Sequence, residues 1–286
     1  MQRSAASFPS KWRTKNNEYS TNPKTQIYFA ARSCRLTQGT RITFIPGVPA
    51  LFSEALKNIC FVKAIPLIRV LHPMMGVDKD TGTDRQAQLY KLTKQTSLPT
   101  MLHNKERPRN VWIEQLALCE QIGDPNTPDL IPKNFTERAD VFGLCAIILA
   151  EDGFIWNMRI LGDSPLGRKY GFNEAACAAA PTKMAEVITL IDNRLETQQD
   201  KGSRFLVGNS ISAADIYWAT MCISINVPPP EIMPMTQQNK GMLKYFARNS
   251  QIPAIANLIS KRIIDHQQYI LSHYCETPAV LGGDPL

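Results

Sequence analysis

The stretch "GNSISAADIYWA", residues 208–219, places two serines and an aspartate directly before an apolar run. Ser212 followed three residues later by Asp215 is the acidic form of a capping box. In such a box the serine oxygen accepts a hydrogen bond at the helix start, and the carboxylate accepts one from the serine N–H. Ile211 and Ile216 flank the box as a hydrophobic staple would. The stretch therefore predicts a buried helix start, with Ser212 and Asp215 as structural caps and no catalytic role for Asp215.

The composition around this stretch is that of a globular protein. The chain has 286 residues, 44% of them hydrophobic, which suffices for one or two domains. Its longest apolar runs, such as residues 142–150, are far shorter than the about 20 residues of a membrane span. We therefore expect neither a transmembrane segment nor a membrane partner.

The positive charge is concentrated at one end of the chain. Residues 1–40 contain seven Lys or Arg and one Glu, so they carry all but one of the net charge of +7. The remainder is nearly neutral, which argues against a nucleic-acid partner. The basic, acid-poor leader fits either an organelle-targeting segment or a solvated or body-wrapping extension.

The cysteines and histidines indicate a reducing compartment and no metal site. Seven scattered cysteines include no CxxC pair, which is typical of cytoplasmic proteins. No two of the four histidines have the i, i+4 spacing of a helical metal pair. We expect a cytoplasmic protein without bound metal.

The first part of the chain predicts an α/β unit. Residues 39–47 have the pattern of a strand, residues 49–58 that of a helix starting at a proline, and residues 65–73 that of a second strand. This order favours parallel pairing of the two strands. Residues 97–112 then predict an antiparallel hairpin that leads into a further helix.

From about residue 130 onward the pattern is helical throughout. Residues 134–161 predict one long helix or a kinked pair, with Gly143 and Gly153 as weak points. A further helix is predicted to start at Pro181. Its buried face has residues at 3.6-residue spacing: Met184, Ile188, Ile191 and Leu195. Three prolines and a glycine in residues 123–132 mark the boundary between the two halves.

The glycine and Ser-x-x-Asp that open a core helix in "FLVGNSISAADIYWA" resemble the helical-domain motif of cytosolic glutathione transferases. The order of strands and helices in the first half is similar to that family as well. The resemblance implies a thioredoxin-like α/β domain followed by an all-α domain. Residues 1–40 would then be a basic extension, residues 41–124 the glutathione-binding domain, and residues 130–286 the helical domain.

The same resemblance implies where glutathione would bind. In "SLPT", residues 97–100, Pro99 stands at the family's cis-proline, so the Leu98 backbone would pair with the glutathione peptide. Glu114 and Gln115 stand where the family has Glu-Ser, which holds the γ-glutamyl end. The alternative for Glu114 is a plain helix-capping role, because acids favour helix N-termini.

The hydroxyl that activates the thiol in many relatives is missing. Val48 stands at that position, and valine cannot hydrogen-bond a thiolate. Ser53, one turn later, and Tyr28, from the leader, are the candidate catalytic donors, together with backbone N–H groups around Ala50 and Leu51. Three interpretations stay open: activation by backbone and a displaced hydroxyl, a lyase or isomerase use of glutathione, and a domain that has lost the chemistry.

A second substrate would lie between the domains, where Trp156 and Arg159 are the candidate pocket residues. The alternative is that Glu151, Asp152 and Arg159 form ion pairs at a subunit interface while Trp156 fills the core. Four further residues have structural assignments: Tyr217 and Trp218 to the core, and Asp265 and His266 to a solvated helix face.

The expected function is therefore binding of glutathione as co-substrate and its conjugation to, or exchange on, a small hydrophobic electrophile. A homodimer is implied by the resemblance. The alternatives are a glutathione-dependent isomerase or lyase, and a non-catalytic interaction module that reuses the fold. Val48 favours the non-catalytic alternative, whereas Pro99 and Glu114 oppose it.

Overall fold

A four-stranded mixed sheet forms the core of the N-terminal half. The computed structural model describes residues 26–28, 38–72 and 76–283, and the fold below concerns these. The strands are β1 (Gln26–Tyr28), β2 (Thr40–Phe44), β3 (Leu67–Leu71) and β4 (Met101–His103). Their order across the sheet is β1, β3, β2, β4, with β1 and β2 parallel to β3 and β4 antiparallel to β2.

The predicted β-α-β unit is present and parallel. Helix α1 (Leu51–Val62) connects β2 to β3, which pair from Thr40 with Leu67 to Phe44 with Leu71. The burial of β2 fits parallel pairing. All five of its side chains are buried, and parallel sheets are typically covered on both faces. Two further helices, α2 (Ala87–Thr93) and α3 (Trp112–Ile122), complete the domain.

The predicted hairpin after β4 is shorter than expected. Its second strand is a single bridge, in which Arg109 and Met101 exchange two backbone hydrogen bonds of 2.9 Å each. Pro108, directly before it, has no N–H to offer a ladder. The start of α3 at Trp112 leaves no length for further pairing.

Part of the predicted N-terminal extension belongs to the sheet. The three residues of β1 pair with β3, and Tyr28 lies opposite Leu71 in the register. Residues 26–28 therefore add an edge strand beyond the predicted start of the domain at residue 41.

The C-terminal half consists of helices around one central helix, α8 (Ala213–Met221). The other helices are α4 (Phe135–Leu149), α5 (Phe154–Arg159), α6 (Pro165–Lys169), α7 (Glu174–Asp200), α9 (Lys240–Asn249) and α10 (Lys261–Tyr274). Every residue of α8 is buried, and the helix packs on α1, α4 and α10. Tyr217 and Trp218 lie in this core, as predicted. Helix α9 was not among the predicted elements.

The start of α8 confirms the predicted cap. Asp215 is fully buried, and its Oδ2 accepts hydrogen bonds from the Ser212 N–H at 2.9 Å and the Ser212 hydroxyl at 2.7 Å. Its Oδ1 accepts one from the Leu206 N–H at 2.7 Å and lies 3.0 Å from His266 Nε2. The solvated position predicted for His266 is therefore wrong, since α10 turns this side chain toward α8. Asp265, the next residue back, is exposed as predicted.

The long apolar segment is two helices, with the break at only one of the two predicted glycines. Gly143 lies inside an unbroken α4, whereas Gly153 separates α4 from α5. Asp152 before it has φ +64°, and a Cβ on Gly153 would lie 2.6 Å from the Ile147 carbonyl oxygen. By length and composition, Phe135–Arg159 is the one stretch of the described chain that could cross a membrane; 56% of its most apolar window is buried inside the fold.

Helix α7 starts earlier than predicted. It begins at Glu174, seven residues before Pro181, because the Asn173 side chain caps it by accepting from the Ala176 N–H at 2.9 Å. Pro181 sits inside the helix, so a start at this residue is wrong. The predicted buried face is confirmed for all four residues: Met184, Ile188, Ile191 and Leu195.

The segment after α10 returns to the N-terminal domain and is held there by buried charges. Glu276 pairs with Lys57 of α1 at 2.7 Å and with Arg69 of β3 at 2.8 Å. Lys57 also pairs with Glu54 at 2.7 Å, and Glu54 Oε1 accepts from the Gly282 N–H at 3.0 Å. Beside them lies a cavity of about 20 Å³, enough for one water molecule. This network joins the C-terminal segment to α1 and β3 of the N-terminal domain.

Candidate functional site

The loop before β4 is held rigidly on the sheet. Its Leu98–Pro99 peptide bond is cis, as the family resemblance implied. The Thr100 N–H donates to Thr43 Oγ1 at 2.7 Å, and the Thr43 N–H donates back to the Thr100 carbonyl at 3.1 Å. The Pro99 carbonyl accepts from Gln115 Nε2 at 3.0 Å. Sheet and α3 together therefore define the position of the loop.

Gln115 serves this loop from the inside. The side chain is 3% exposed, and its amide NH₂ donates to the Pro99 and Arg109 carbonyls at 3.0 Å each. Both amide hydrogens are thus committed to the protein. The direct contact of Gln115 with glutathione stays a prediction. In the structure, the Gln115 side chain positions Pro99.

The Leu98 backbone is open. Leu98 is only partly buried, and its N–H and C=O make no hydrogen bond with any residue in the described ranges. A backbone with both groups unpaired can bind an extended peptide as an added strand does. This is the arrangement that the resemblance implies for glutathione.

Glu114 lies beside this loop, in the first turn of α3. Arg107 donates two hydrogen bonds to its carboxylate, at 2.7 Å from Nη2 to Oε1 and at 3.4 Å from Nη1 to Oε2. The hydrogen bond from Arg107 lowers the pKa of Glu114, so the group is ionised at neutral pH. Its side-chain bonds run to Arg107 and none caps the helix backbone. Arg107 and Glu114 are 68% and 36% exposed, so the pair can exchange partners with a charged ligand.

The start of α1 offers two free backbone donors. The Ala50 N–H, predicted to be available, is not, because it donates to the Val48 carbonyl at 2.7 Å. The N–H groups of Leu51 and Phe52 have no acceptor among the described residues. They point out of a 12-residue helix, whose N-terminus attracts anions. Val48, partly exposed, contributes no polar side-chain atom here.

Of the two candidate hydroxyl donors, Ser53 and Tyr28, the structure describes only the side chain of Ser53. Ser53 is fully buried, and its Oγ has no hydrogen-bond partner within the described chain. Tyr28 lies on β1, and β3 separates β1 from β2, which places its backbone about 10 Å from β2. The side chain of Tyr28 lies outside the described part of the structure. A catalytic role for either residue stays a prediction.

Five side chains from four separate segments meet between the domains: Phe52, Ser97, Trp156, Arg159 and Tyr170, here called the Arg159 cluster. The Arg159 guanidinium carbon lies 4.4 Å from the ring centre of Phe52 and 4.1 Å from that of Tyr170. The Trp156 ring stands edge-on to Tyr170 at 5.0 Å. The Tyr170 hydroxyl lies 3.3 Å from Ser97 Oγ. The cluster thus spans from the first turn of α1 to the loop before Pro99.

The two predicted pocket residues, Trp156 and Arg159, are therefore brought together. Trp156 is partly exposed instead of filling the core, and Arg159 forms no ion pair with any described carboxylate. Asp152 pairs with Lys183 of the same chain. The alternative, in which Glu151, Asp152 and Arg159 form ion pairs at a subunit interface, stays a prediction. Burial lowers the pKa of the Arg159 guanidinium, which stays protonated at any physiological pH.

Three residues of the site had no signal in the sequence. Phe52 reads as an ordinary apolar helix residue, Tyr170 as the end of a short helix, and Arg107 as part of a turn. Phe52 contacts Arg159, which is distant in the chain, and Arg107 contacts Glu114 across a turn. No regular sequence spacing predicts these pairs.

Comparison with known proteins found one matching family model and several similar solved structures. Residues 170–262 match the family model of the glutathione S-transferase C-terminal domain. No curated protein matches the chain significantly.

The fold is similar to that of several solved structures. Ure2p in complex with glutathione is 8% identical, with a TM-score of 0.52 over 80% of this chain and 98% of that chain. A glutathione S-transferase from Methylobacillus flagellatus, solved with glutathione bound, is 14% identical, with a TM-score of 0.51 over 79% and 98%. The nitrogen regulation fragment of the yeast prion protein Ure2p is 9% identical, with a TM-score of 0.50 over 78% and 96%.

Identities this low show a shared fold, here a thioredoxin-like domain followed by an all-α domain. The family-model match is independent of that likeness and falls on the helical half, which contains the capped helix α8. Residues 170–262 thus match a glutathione S-transferase C-terminal domain, and the chain shares its fold with solved glutathione transferases.

Proposed function

We propose that this protein binds glutathione along Leu98, Glu114 and the start of α1, and transfers it to a small electrophile lying against the Arg159 cluster. One observation carries the proposal. The cluster reaches from Phe52, whose N–H is free, to Ser97, the neighbour of the open Leu98 backbone. A peptide bound at Leu98 and a ring bound at Arg159 would therefore be neighbours. Two proteins of the same fold were crystallised with glutathione, which supports the first half of the proposal.

The amino-acid end of glutathione carries both an ammonium and a carboxylate. Glu114 and Arg107 form a pair of opposite sign beside the Leu98 loop. In the proposed complex, Glu114 accepts from the ammonium and Arg107 donates to the carboxylate. The ligand thus replaces one exposed ion pair by two charge-assisted contacts. The peptide between Cys and Glu of glutathione pairs with Leu98.

The chemical step needs the thiolate. A free thiol with a pKa of about 8.5 is only about 3% ionised at pH 7. A helix N-terminus stabilises a neighbouring anion by about 0.3–1 kcal/mol, and by up to about 2 kcal/mol when partly buried. Because Val48 adds no hydroxyl, the N–H groups of Leu51 and Phe52 supply most of the stabilisation. The thiolate sulfur attacks an electrophilic carbon, a C–S bond forms, and the leaving group departs with the bonding electron pair.

A non-catalytic interaction module is the second candidate. Two observations favour it: Val48 stands at the hydroxyl position, and Ser53 is buried away from any ligand. A lyase or isomerase that uses glutathione tolerates the missing hydroxyl better than a conjugating enzyme does. Turnover, measured after binding is established, separates these cases.

The test is calorimetric titration of the full chain with glutathione. We expect wild-type protein to bind and Glu114→Gln to lose about tenfold or more in affinity, since a hydrogen bond to a charged group is worth about 1.5–3 kcal/mol. The matched control is Asp265→Asn, which breaks an exposed ion pair with Lys261 on α10 and should bind normally. Absence of glutathione binding by the folded wild-type protein contradicts every enzymatic version of the proposal. Binding without turnover of an aryl halide favours the interaction module.

A cytoplasmic homodimer is part of the proposal, by resemblance to the superfamily. Sedimentation equilibrium of the full chain checks the oligomeric state. A mass of one chain at micromolar concentration contradicts it.

A further inference from the structure

We infer that Arg159 recognises an anionic group, and that the second substrate is a flat aromatic compound bearing a carboxylate. This inference rests on the proposed function, because it names the substrate class of the same site. It is carried by the arrangement of the Arg159 cluster.

The guanidinium of Arg159 packs against two aromatic rings. Its carbon lies over the Phe52 ring at 4.4 Å and over the Tyr170 ring at 4.1 Å, measured to the ring centres. Two such contacts restrict the position of the guanidinium group. Its planar fork of N–H donors matches a carboxylate with two parallel hydrogen bonds.

The charge has no anionic partner of its own. No described carboxylate forms an ion pair with Arg159, although Glu151 and Asp152 lie only a few residues before it. A partly buried charge without a counter-ion is costly, and a ligand carboxylate would supply one. The pKa of Arg159, lowered by burial, agrees with a group held away from water.

The neighbouring charges strengthen the preference for an anion. Lys169 lies over the Tyr170 ring at 5.8 Å, and its Nζ donates to the Thr96 carbonyl at 2.7 Å. Burial lowers the pKa of Lys169, and among its charged neighbours Arg159 also lowers it while Asp84 raises it. Two cations thus lie at the cluster, and Asp84 is a carboxylate that acts on Lys169 from the described part of the chain.

The aromatic side chains around Arg159 favour a ligand with an aromatic ring. Phe52, Trp156 and Tyr170 are all partly exposed, so part of the apolar surface of each side chain is accessible to a ligand. Aromatic surfaces bind a flat ring by stacking or edge contacts. The Tyr170 hydroxyl, at 3.3 Å from Ser97 Oγ, ties this surface to the residue next to Leu98. A benzoate anchored at Arg159 would place its ring beside the proposed peptide site.

The experiment uses two unreactive ligands of nearly equal shape, 4-methyl-3-nitrobenzoate and its methyl ester. The full chain is first titrated with glutathione and then, saturated with it, with each ligand. We expect wild-type protein to bind the carboxylate about tenfold or more tighter than the ester, from the ordinary strength of a charge-assisted hydrogen bond. Arg159→Met should remove this preference. Arg168→Met, which deletes a neighbouring exposed arginine outside the cluster, should retain it.

Arg159→Lys guards against a folding defect, since it keeps the charge but not the planar fork of N–H donors. We expect this variant to keep less of the preference than wild type. Equal binding of the two ligands to wild type, or an undiminished preference in Arg159→Met, overturns the inference. If glutathione does not bind in the first titration, the proposed function fails, and the same ligand pair on the free protein still tests the anion site.

Discussion

The carboxylate of Asp215 lies 3.0 Å from Nε2 of His266, and both side chains are buried. Asp215 belongs to the first turn of α8, while His266 lies 51 residues later on α10. The same carboxylate accepts from the Ser212 and Leu206 N–H groups. One acid therefore caps the central helix, fixes the preceding loop and holds a neighbouring helix.

Replacing Asp215 should destabilise the protein without affecting ligand binding. We expect Asp215→Ala to lower the free energy of unfolding by about 3–5 kcal/mol, because removing one member of a buried polar pair leaves the other unpaired. Asp265→Asn, on the exposed face of α10, should change it by less than about 1 kcal/mol. Urea unfolding measures both. A folded Asp215→Asn protein that loses glutathione affinity tenfold would contradict the purely structural role.

Lys57 should make stability depend on pH in the alkaline range. Burial by itself lowers the pKa of Lys57, but Glu276 and Glu54 outweigh burial and raise it above its ordinary value of 10.5. Protonated Lys57 therefore stabilises the fold fully below about pH 10.5, and this contribution is lost as the pH rises through the folded-state pKa. Urea unfolding at pH 8 and above pH 11 should show a large difference between wild type and Lys57→Met at the lower pH and a smaller one at the higher. An equal difference at both values contradicts the charge network.

Two glycines of the apolar segment should respond to alanine in opposite directions. Gly143 is in the interior of α4 with open space around its missing Cβ, so Gly143→Ala should stabilise by up to about 1 kcal/mol. At Gly153 a Cβ would lie 2.6 Å from a backbone oxygen, so Gly153→Ala should destabilise by about 1–3 kcal/mol. Thermal unfolding compares the two. Equal effects would mean that the break between α4 and α5 does not depend on Gly153.

Restoring a hydroxyl at Val48 should activate bound glutathione. Val48→Ser places a donor next to the free N–H groups of Leu51 and Phe52. A hydrogen bond to an anion, worth about 1.5–3 kcal/mol, should lower the thiol pKa by about one to two units. The ultraviolet absorbance of the thiolate, followed against pH, measures this value. Val48→Ala is the control and should leave it unchanged, as should Ser53→Ala if the buried serine takes no part.

The features predicted correctly are those that neighbouring residues encode. Ser212 and Asp215 are three residues apart, and the hydrogen bond of the capping box joins these two residues directly. The β2-α1-β3 unit follows from strand and helix patterns in consecutive segments. The cis peptide bond at Pro99 was implied by the family resemblance, and no local pattern predicted it. The start of α7 was missed because the Asn173 cap outweighs the usual preference of proline for the first turn.

By itself, therefore, the sequence determined the capped core helix, the α/β and all-α halves, and the place of the loop beside Pro99. Those features depend on local hydrogen bonds and on the period of apolar residues. Only the tertiary structure decided that Glu276 meets Arg69, 207 residues earlier, that His266 meets Asp215, and that Arg159 packs against two aromatic rings. Such contacts depend on how helices pack against the sheet, and no spacing along the chain encodes that packing.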